Sequence, residues 1–266
     1  MMNLLRYVAR RPVMSTRVRR WAVGLPLASS RPPAIFIHIP KSAGQSVTAG
    51  LDLERLTTLR RAANFFYPGY PVTFGHLSLV DLVRTKMVEQ QYVEEAFVFT
   101  FVRDPYTRAV SLFRHLLETR RLEGVVSSGF REVAAAGSAD SRIVVREFRR
   151  FLEHVAAGVP PVGLYDSFGL SQANPQVRWT ESLRIDFIGS FEHLARDFRH
   201  LALRITGEER EPVQKNESKL LGHVGYDEFL QEECRALIEH IYREDFDAFG
   251  YSRGKASQES AAGSDT

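Results

Sequence analysis

Residues 34–46, AIFIHIPKSAGQS, decide the reading of this chain. Ala34–Ile39 is a short apolar run with three isoleucines, the pattern of a strand buried on both faces. It ends in Pro40-Lys41, passes through the small residues Ser42, Ala43 and Gly44, and enters apolar residues at helical spacing from Ser46 to about Leu59. A strand, a small-residue loop and a helix start make a place where backbone N–H groups and a lysine hold a phosphate. Triphosphate-binding loops keep their lysine late, in GxxxxGK[ST]; here Lys41 precedes Gly44. That order points away from nucleoside triphosphates and toward another phosphorylated donor.

Working outward, Phe97–Val102 (FVFTFV) is a second continuous apolar run, read as a central strand. RDPYTRAVS (103–111) follows it directly, with Asp104 to cap and Pro105 to open a helix reaching about Arg121. Arg103 at the strand tip offers a planar fork for a phosphate. Ser111 lies about two turns into the helix, with Arg108 three positions earlier on the same face. Other expected elements are an extended piece at Pro71–Phe74 and a helix from about Ser78 to Gln90. A surface loop is expected at Gly124–Asp140 and a helix at Ser141–Ala157. Then come a short helix around Asn174–Glu181, a strand at Ile185–Phe191 and a helix at Glu192–Thr206. Tyr226–Phe249 closes the pattern with one or more helices. Strands alternating with helices predict an α/β domain with a mostly parallel central sheet and helices on both faces, its ligand site at the strand tips.

Together PKSAGQS and RDPYTRAVSLF resemble the two cofactor-binding motifs of the sulfotransferases that use 3′-phosphoadenosine 5′-phosphosulfate (PAPS). The similarity is greatest to the carbohydrate type, whose first motif commonly reads His-Ile-Pro-Lys-Thr-Gly-Gly-Thr-Ser. His38, Ile39, Pro40, Lys41, Gly44 and Ser46 match it. DFIGSFEHLARDF (186–198) and YREDFDAFGY (242–251) continue the resemblance, which covers about residues 34–251. It implies a P-loop-like three-layer fold and transfer of a sulfuryl group from PAPS to a hydroxyl, leaving adenosine 3′,5′-bisphosphate, with no metal needed. On these residues, Lys41 would meet the bridging oxygen to sulfur. Backbone N–H groups of Ala43, Gly44, Gln45 and Ser46 would cradle the 5′-phosphate, with Ser42 and Ser46 as candidate side-chain ligands. Arg103 and Ser111 would hold the 3′-phosphate. VQKNESKL (213–220) resembles a loop that closes over the donor, so Lys215, Asn216 and Ser218 join the donor set; a solvated linker is the alternative. Ala43 stands where the family has Gly, so φ below zero is expected there. Gln45 stands where Thr is common, removing one hydroxyl.

The acceptor hydroxyl needs a base that titrates near neutrality. Of eight histidines, His76 is the leading candidate, after the extended piece and Gly75. Glycan sulfotransferases carry a similar Gly-His. His38, inside a strand, reads as a hydrogen-bonded core residue, and His115 is a distant third. A carboxylate from a variable loop is the alternative base. In NPQVRWT (174–180), Arg178 either meets an acidic acceptor or is solvated while Trp179 packs. The acceptor reads as a saccharide, with a lipid or small alcohol as alternatives.

Composition frames these motifs. The chain has 266 residues, 44% hydrophobic and 25% charged, ordinary for a globular protein. Its single cysteine, Cys234, excludes an intrachain disulfide and reads as a structural thiol. The net charge of +3 is front-loaded: Arg6, Arg10, Arg11, Arg17, Arg19, Arg20, Arg31 and Lys41 precede the first acid, Asp52. Residues 1–33 read as a basic irregular lead-in, solvated or facing an anionic partner, with a targeting peptide as the alternative. Residues 252–266 read as a disordered tail. No run of about 18 apolar residues exists for a membrane span, and the expectation is a soluble cytoplasmic enzyme. Nucleic acid is not expected, for want of interleaved aromatic and basic residues. A P-loop kinase and a non-catalytic module for an anionic glycan are the competing functions.

Overall fold

The computed structural model describes residues 34–55, 71–73, 75–84, 90–158, 165–167, 170–181, 184–213, 220–254 and 256. The basic lead-in, Lys215, Asn216, Ser218 and the tail beyond 256 lie outside them. β1 (Ala34–Ile37) runs parallel to β3 (Pro71–Thr73) and to β4 (Phe97–Val102), with Phe36 opposite Thr73 on one side and Phe99 on the other. β2 (Glu54–Arg55) adds parallel to β3, and β7 (Phe187–Ser190) lies beside β4, giving the order β2-β3-β1-β4-β7. β1 is central and buried at every position, which is why its sequence is apolar without alternation.

The described residues cluster into two compact units. The sheet unit takes those up to Ile39, those within Ala43–Phe101, and those from Trp179 to 213. Its core sets Ala34, Phe36, Phe99 and Phe101 against Val47 of α1 (Gly44–Gly50), Leu51 just after it, and Phe198, Leu201 and Ala202 of α7 (Leu194–Thr206). α2 (Leu79–Arg84) and α3 (Gln90–Glu95) precede β4. The sequence predicts a longer helix after the loop, to about Leu59. It ends at Gly50, where an added Cβ would sit 2.5 Å from the Phe198 ring. Asp52, at φ 57, then turns the chain into β2.

The helical unit takes Pro40–Ser42, Val102–Arg178 and the described residues from Leu220 onward. α4 (Pro105–Glu118) starts as its sequence predicts: Asp104 Oδ1 accepts from the N–H groups of Tyr106 (2.9 Å) and Thr107 (3.1 Å), with Pro105 at the first turn. α5 (Phe130–Ala135), α6 (Ser141–Ala156), α8 (Tyr226–Phe229), α9 (Glu232–Ile241) and α10 (Arg243–Phe249) complete its helices, with a small antiparallel pair β5 (Tyr165–Ser167) and β6 (Leu170–Ser171). Phe113 meets the rings of Phe130, Phe148, Phe151 and Phe229 at 5.3–6.5 Å. This overturns the surface loop expected at Gly124–Asp140. Val125, Phe130, Ala134 and Ala139 are core residues, and Phe130 and Ala134 sit one turn apart on α5. The start of the expected tail is also held: Gly254 N donates to Tyr106 Oη (2.8 Å) and Arg235 Nη1 donates to Gly254 O (3.0 Å).

Candidate active site

In the sheet unit, the first motif becomes a strand end and a helix start. The first α1-type bond runs from Val47 N to Ala43 O (3.0 Å), so the N–H groups of Gly44, Gln45 and Ser46 precede the helical ladder. Ala43 caps α1 without a side-chain hydrogen bond, at φ 62. That reverses the expectation of φ below zero. The left-handed backbone is kept even though alanine stands where the family has glycine, and it costs about 1 kcal/mol. Lys41 is also left-handed, at φ 67. Gly44 is needed for space: an added Cβ would lie 1.7 Å from His38 Nε2. Ser46 is buried and Gln45 exposed.

His38 continues the Phe36 side of β1, its ring stacked on Phe36 at 5.4 Å. The rings of His38 and His76 lie 4.4 Å apart at 60°, and His76 Nδ1 lies 2.8 Å from His38 O. A carbonyl only accepts, so Nδ1 carries the proton and Nε2 presents the lone pair in the neutral ring. Trp179 Nε1 donates to His76 O (2.8 Å), and the indole is buried. Neighbouring Arg178 is exposed and ion-paired with Glu244, in the helical unit.

The helical unit holds the cations. Burial draws the Lys41 ammonium down to about 8, the charge of Arg103 adds to this, and Glu118 opposes it. Arg103 is buried; its Nε donates to Thr107 Oγ1 (3.0 Å) and its Nη2 to Tyr226 Oη (3.3 Å). Ser111 is half-buried, and its hydroxyl has no partner among the described residues. Arg108 belongs to the scaffold: it donates to the carbonyls of Pro40 (3.1 Å), Asn174 (3.1 Å) and Gln172 (3.0 Å).

One organising residue was not singled out by the sequence. Gln176, fully buried on a short 3₁₀ turn (Gln176–Trp179), accepts at Oε1 from Ser42 Oγ (3.0 Å) and from Arg103 N (2.9 Å). Its Nε2 donates to Arg103 O (2.7 Å) and Asp245 Oδ2 (3.3 Å). Asp245 also accepts from the backbone of Gln176 and Val177. Burial pushes its carboxyl up, while Arg108 and those N–H groups pull it down. The amide therefore joins two candidate donor ligands, Ser42 and Arg103. The signal lies in NPQVRWT, where the glutamine stands two positions before Arg178. Among the described residues, no group of three or more His, Cys, Asp or Glu could hold a metal. None of their helices is long and apolar enough to cross a membrane.

A search of curated proteins finds no match to this chain. A family model described as "Sulfotransferase family" matches residues 28–252.

Proposed function

The chain belongs to the sulfotransferase family, and we propose that it transfers a sulfuryl group from PAPS to a saccharide hydroxyl, with His76 as general base. The observation that carries this reading is the His76 imidazole. Its Nδ1–H is engaged by a main-chain carbonyl, so Nε2 is its basic nitrogen. The residues present suit a twice-phosphorylated donor: unladdered N–H groups at Gly44–Ser46, a desolvated Lys41, and the guanidinium of Arg103.

PAPS, when bound, supplies an activated sulfuryl group on a 5′-phosphate and a 3′-phosphate for recognition. The chain's own groups do the rest. His76 Nε2 takes the proton of the acceptor hydroxyl as its oxygen bonds to sulfur. Lys41 places positive charge where the broken S–O bond leaves a phosphate oxygen. Ala43, Gly44, Gln45 and Ser46 bind the 5′-phosphate through backbone N–H groups, with Ser42 and Ser46 hydroxyls as further donors. Arg103 and Ser111 would bind the 3′-phosphate, and Lys215, Asn216 and Ser218 would meet the 3′-phosphate or the adenine. Arg178 exchanges Glu244 for an acidic group on the acceptor.

Calorimetry tests the donor. Adenosine 3′,5′-bisphosphate should bind at least tenfold more tightly than AMP, the difference shrinking in Arg103→Ala; equal affinities would rule out the 3′-phosphate assignment. Labelled PAPS offered to saccharide, lipid and small-alcohol acceptors tests the substrate class, and transfer to the latter two alone would refute the saccharide. Magnesium chelation should leave transfer unchanged, because Lys41 and Arg103 supply the positive charge.

A further inference from the structure

We propose that His38 is a positioning residue for His76, its ring and carbonyl together holding the imidazole so that Nε2 faces the acceptor. This role presupposes that His76 is the general base, as proposed above.

The support is a short column of rings built on the central strands. Phe99 stacks on Phe36 (5.2 Å, 17°), Phe36 stacks on His38 (5.4 Å, 17°), and His38 ends the column in an edge-type contact with His76 (4.4 Å, 60°). The column is fixed from below, since Phe36 and Phe99 are fully buried and pair across the β1–β4 register. Thr100 Oγ1 donates to Ile37 O (2.7 Å), tying down the backbone just before His38. From the other side, His38 lies so close to Gly44 that no β-carbon fits there. His38 is thereby clamped between β1 and the start of α1.

His76 has less of its own support. It sits in a short segment after Gly75, which is exposed at φ 73. Its ring is set by two contacts with His38: the bond from Nδ1 to His38 O and the ring edge. The bond alone fixes the tautomer but leaves the ring able to swing about it. The His38 ring packed beside it removes that freedom. A base displaced by about 1 Å can lose on the order of 100-fold in rate, so the orientation matters to turnover.

The test combines ring-nitrogen NMR of the ¹⁵N-histidine-labelled whole chain with turnover. The His76 signals are assigned by their loss in His76→Gln. Wild type should show His76 with a protonated Nδ1 and a bare Nε2. His38→Ala should move those signals toward the averaged pattern of a free imidazole. With labelled PAPS and a pool of desulfated glycosaminoglycan oligosaccharides, it should also lower kcat about 10- to 100-fold with little change in donor KM. His38→Phe keeps the ring face and should restore both readouts to near wild type. Gly44→Ala, which drives a methyl into the His38 ring, should disturb the His76 signals without donor present. Should His38→Ala fail to fold, His38→Leu fills most of the volume without a ring and is read in the same way.

Unchanged His76 signals in His38→Ala overturn the positioning role while leaving the base intact. Full turnover by His76→Gln overturns the base reading, and the positioning role with it, even where the signals shift. If His38→Phe is as slow as His38→Ala while its His76 signals stay wild-type, His38 acts through its own nitrogen and positioning is refuted.

Discussion

Lys41 carries a cation that burial has brought to the edge of neutrality. Its pKa falls from 10.5 to about 8, so the folded chain sheds this proton as pH rises through 8. Anion affinity that depends on the charge should fall above pH 8, approaching tenfold per pH unit. Calorimetry of adenosine 3′,5′-bisphosphate from pH 7 to about 9.5 reads this, and a flat profile would remove Lys41 from the donor site. Stability runs the other way. Between about 8 and 10.5 the unfolded chain holds the extra proton, so this group makes stability rise with pH. Lys41→Met should raise the melting temperature at pH 7 by roughly 1–3 °C while abolishing transfer. Ala43→Gly relieves a left-handed alanine but adds freedom to the unfolded chain, for a net gain of about 0.5 kcal/mol, measurable as a higher urea midpoint. At this scale the sequence pointed to Lys41, whose donor role is a proposal, and misjudged the backbone of Ala43. A loop conformation set by the whole strand-to-helix junction overrode the local preference of one residue.

At the scale of elements, legibility follows how local the cause is. Asp104-Pro105 announces α4 because cap and first turn are neighbours in sequence. β1 and β4 announce themselves because central strands are apolar throughout. Gln176 does not, because its partners Ser42 and Arg103 are 134 and 73 residues away. A buried glutamine looks like any polar residue until its four bonds are seen. Likewise α5 is short, exposes Val133 as well as Glu132, and only Phe130 and Ala134 betray the buried face. Gln176→Leu should leave Ser42 Oγ and both polar groups of the Arg103 backbone without their partner, along with one bond to Asp245. The expected cost is about 2–4 kcal/mol in chemical denaturation, with donor affinity falling at least tenfold. A weaker effect on donor affinity than on stability would make Gln176 scaffold alone.

The described residues include a core around the sheet and another around Phe113, each with its own buried residues. Phe113→Ala removes a ring that meets four others and should cost about 3–5 kcal/mol by denaturant titration. A ligand that binds only the folded chain stabilises it by mass action. Adenosine 3′,5′-bisphosphate at 100 times its Kd should add about 2.7 kcal/mol, seen as a raised melting temperature that AMP at the same concentration does not match.

Pro40–Ser42 belongs to the helical unit although the chain on either side of it belongs to the sheet unit. That has a consequence in time. Ser42 leaves the ribosome early, but the amide it donates to is made 134 residues later, and the carboxylate that holds that amide comes at Asp245. Pro40 similarly waits for Arg108, whose other two acceptors are at Gln172 and Asn174. A nascent chain stalled before residue 172 would carry the whole of IPKSAGQS and Arg108, yet lack the Gln176 amide that accepts from Ser42 and the carbonyls of Gln172 and Asn174 that hold Arg108. The motif read first in the sequence is among the last parts of the protein to be finished.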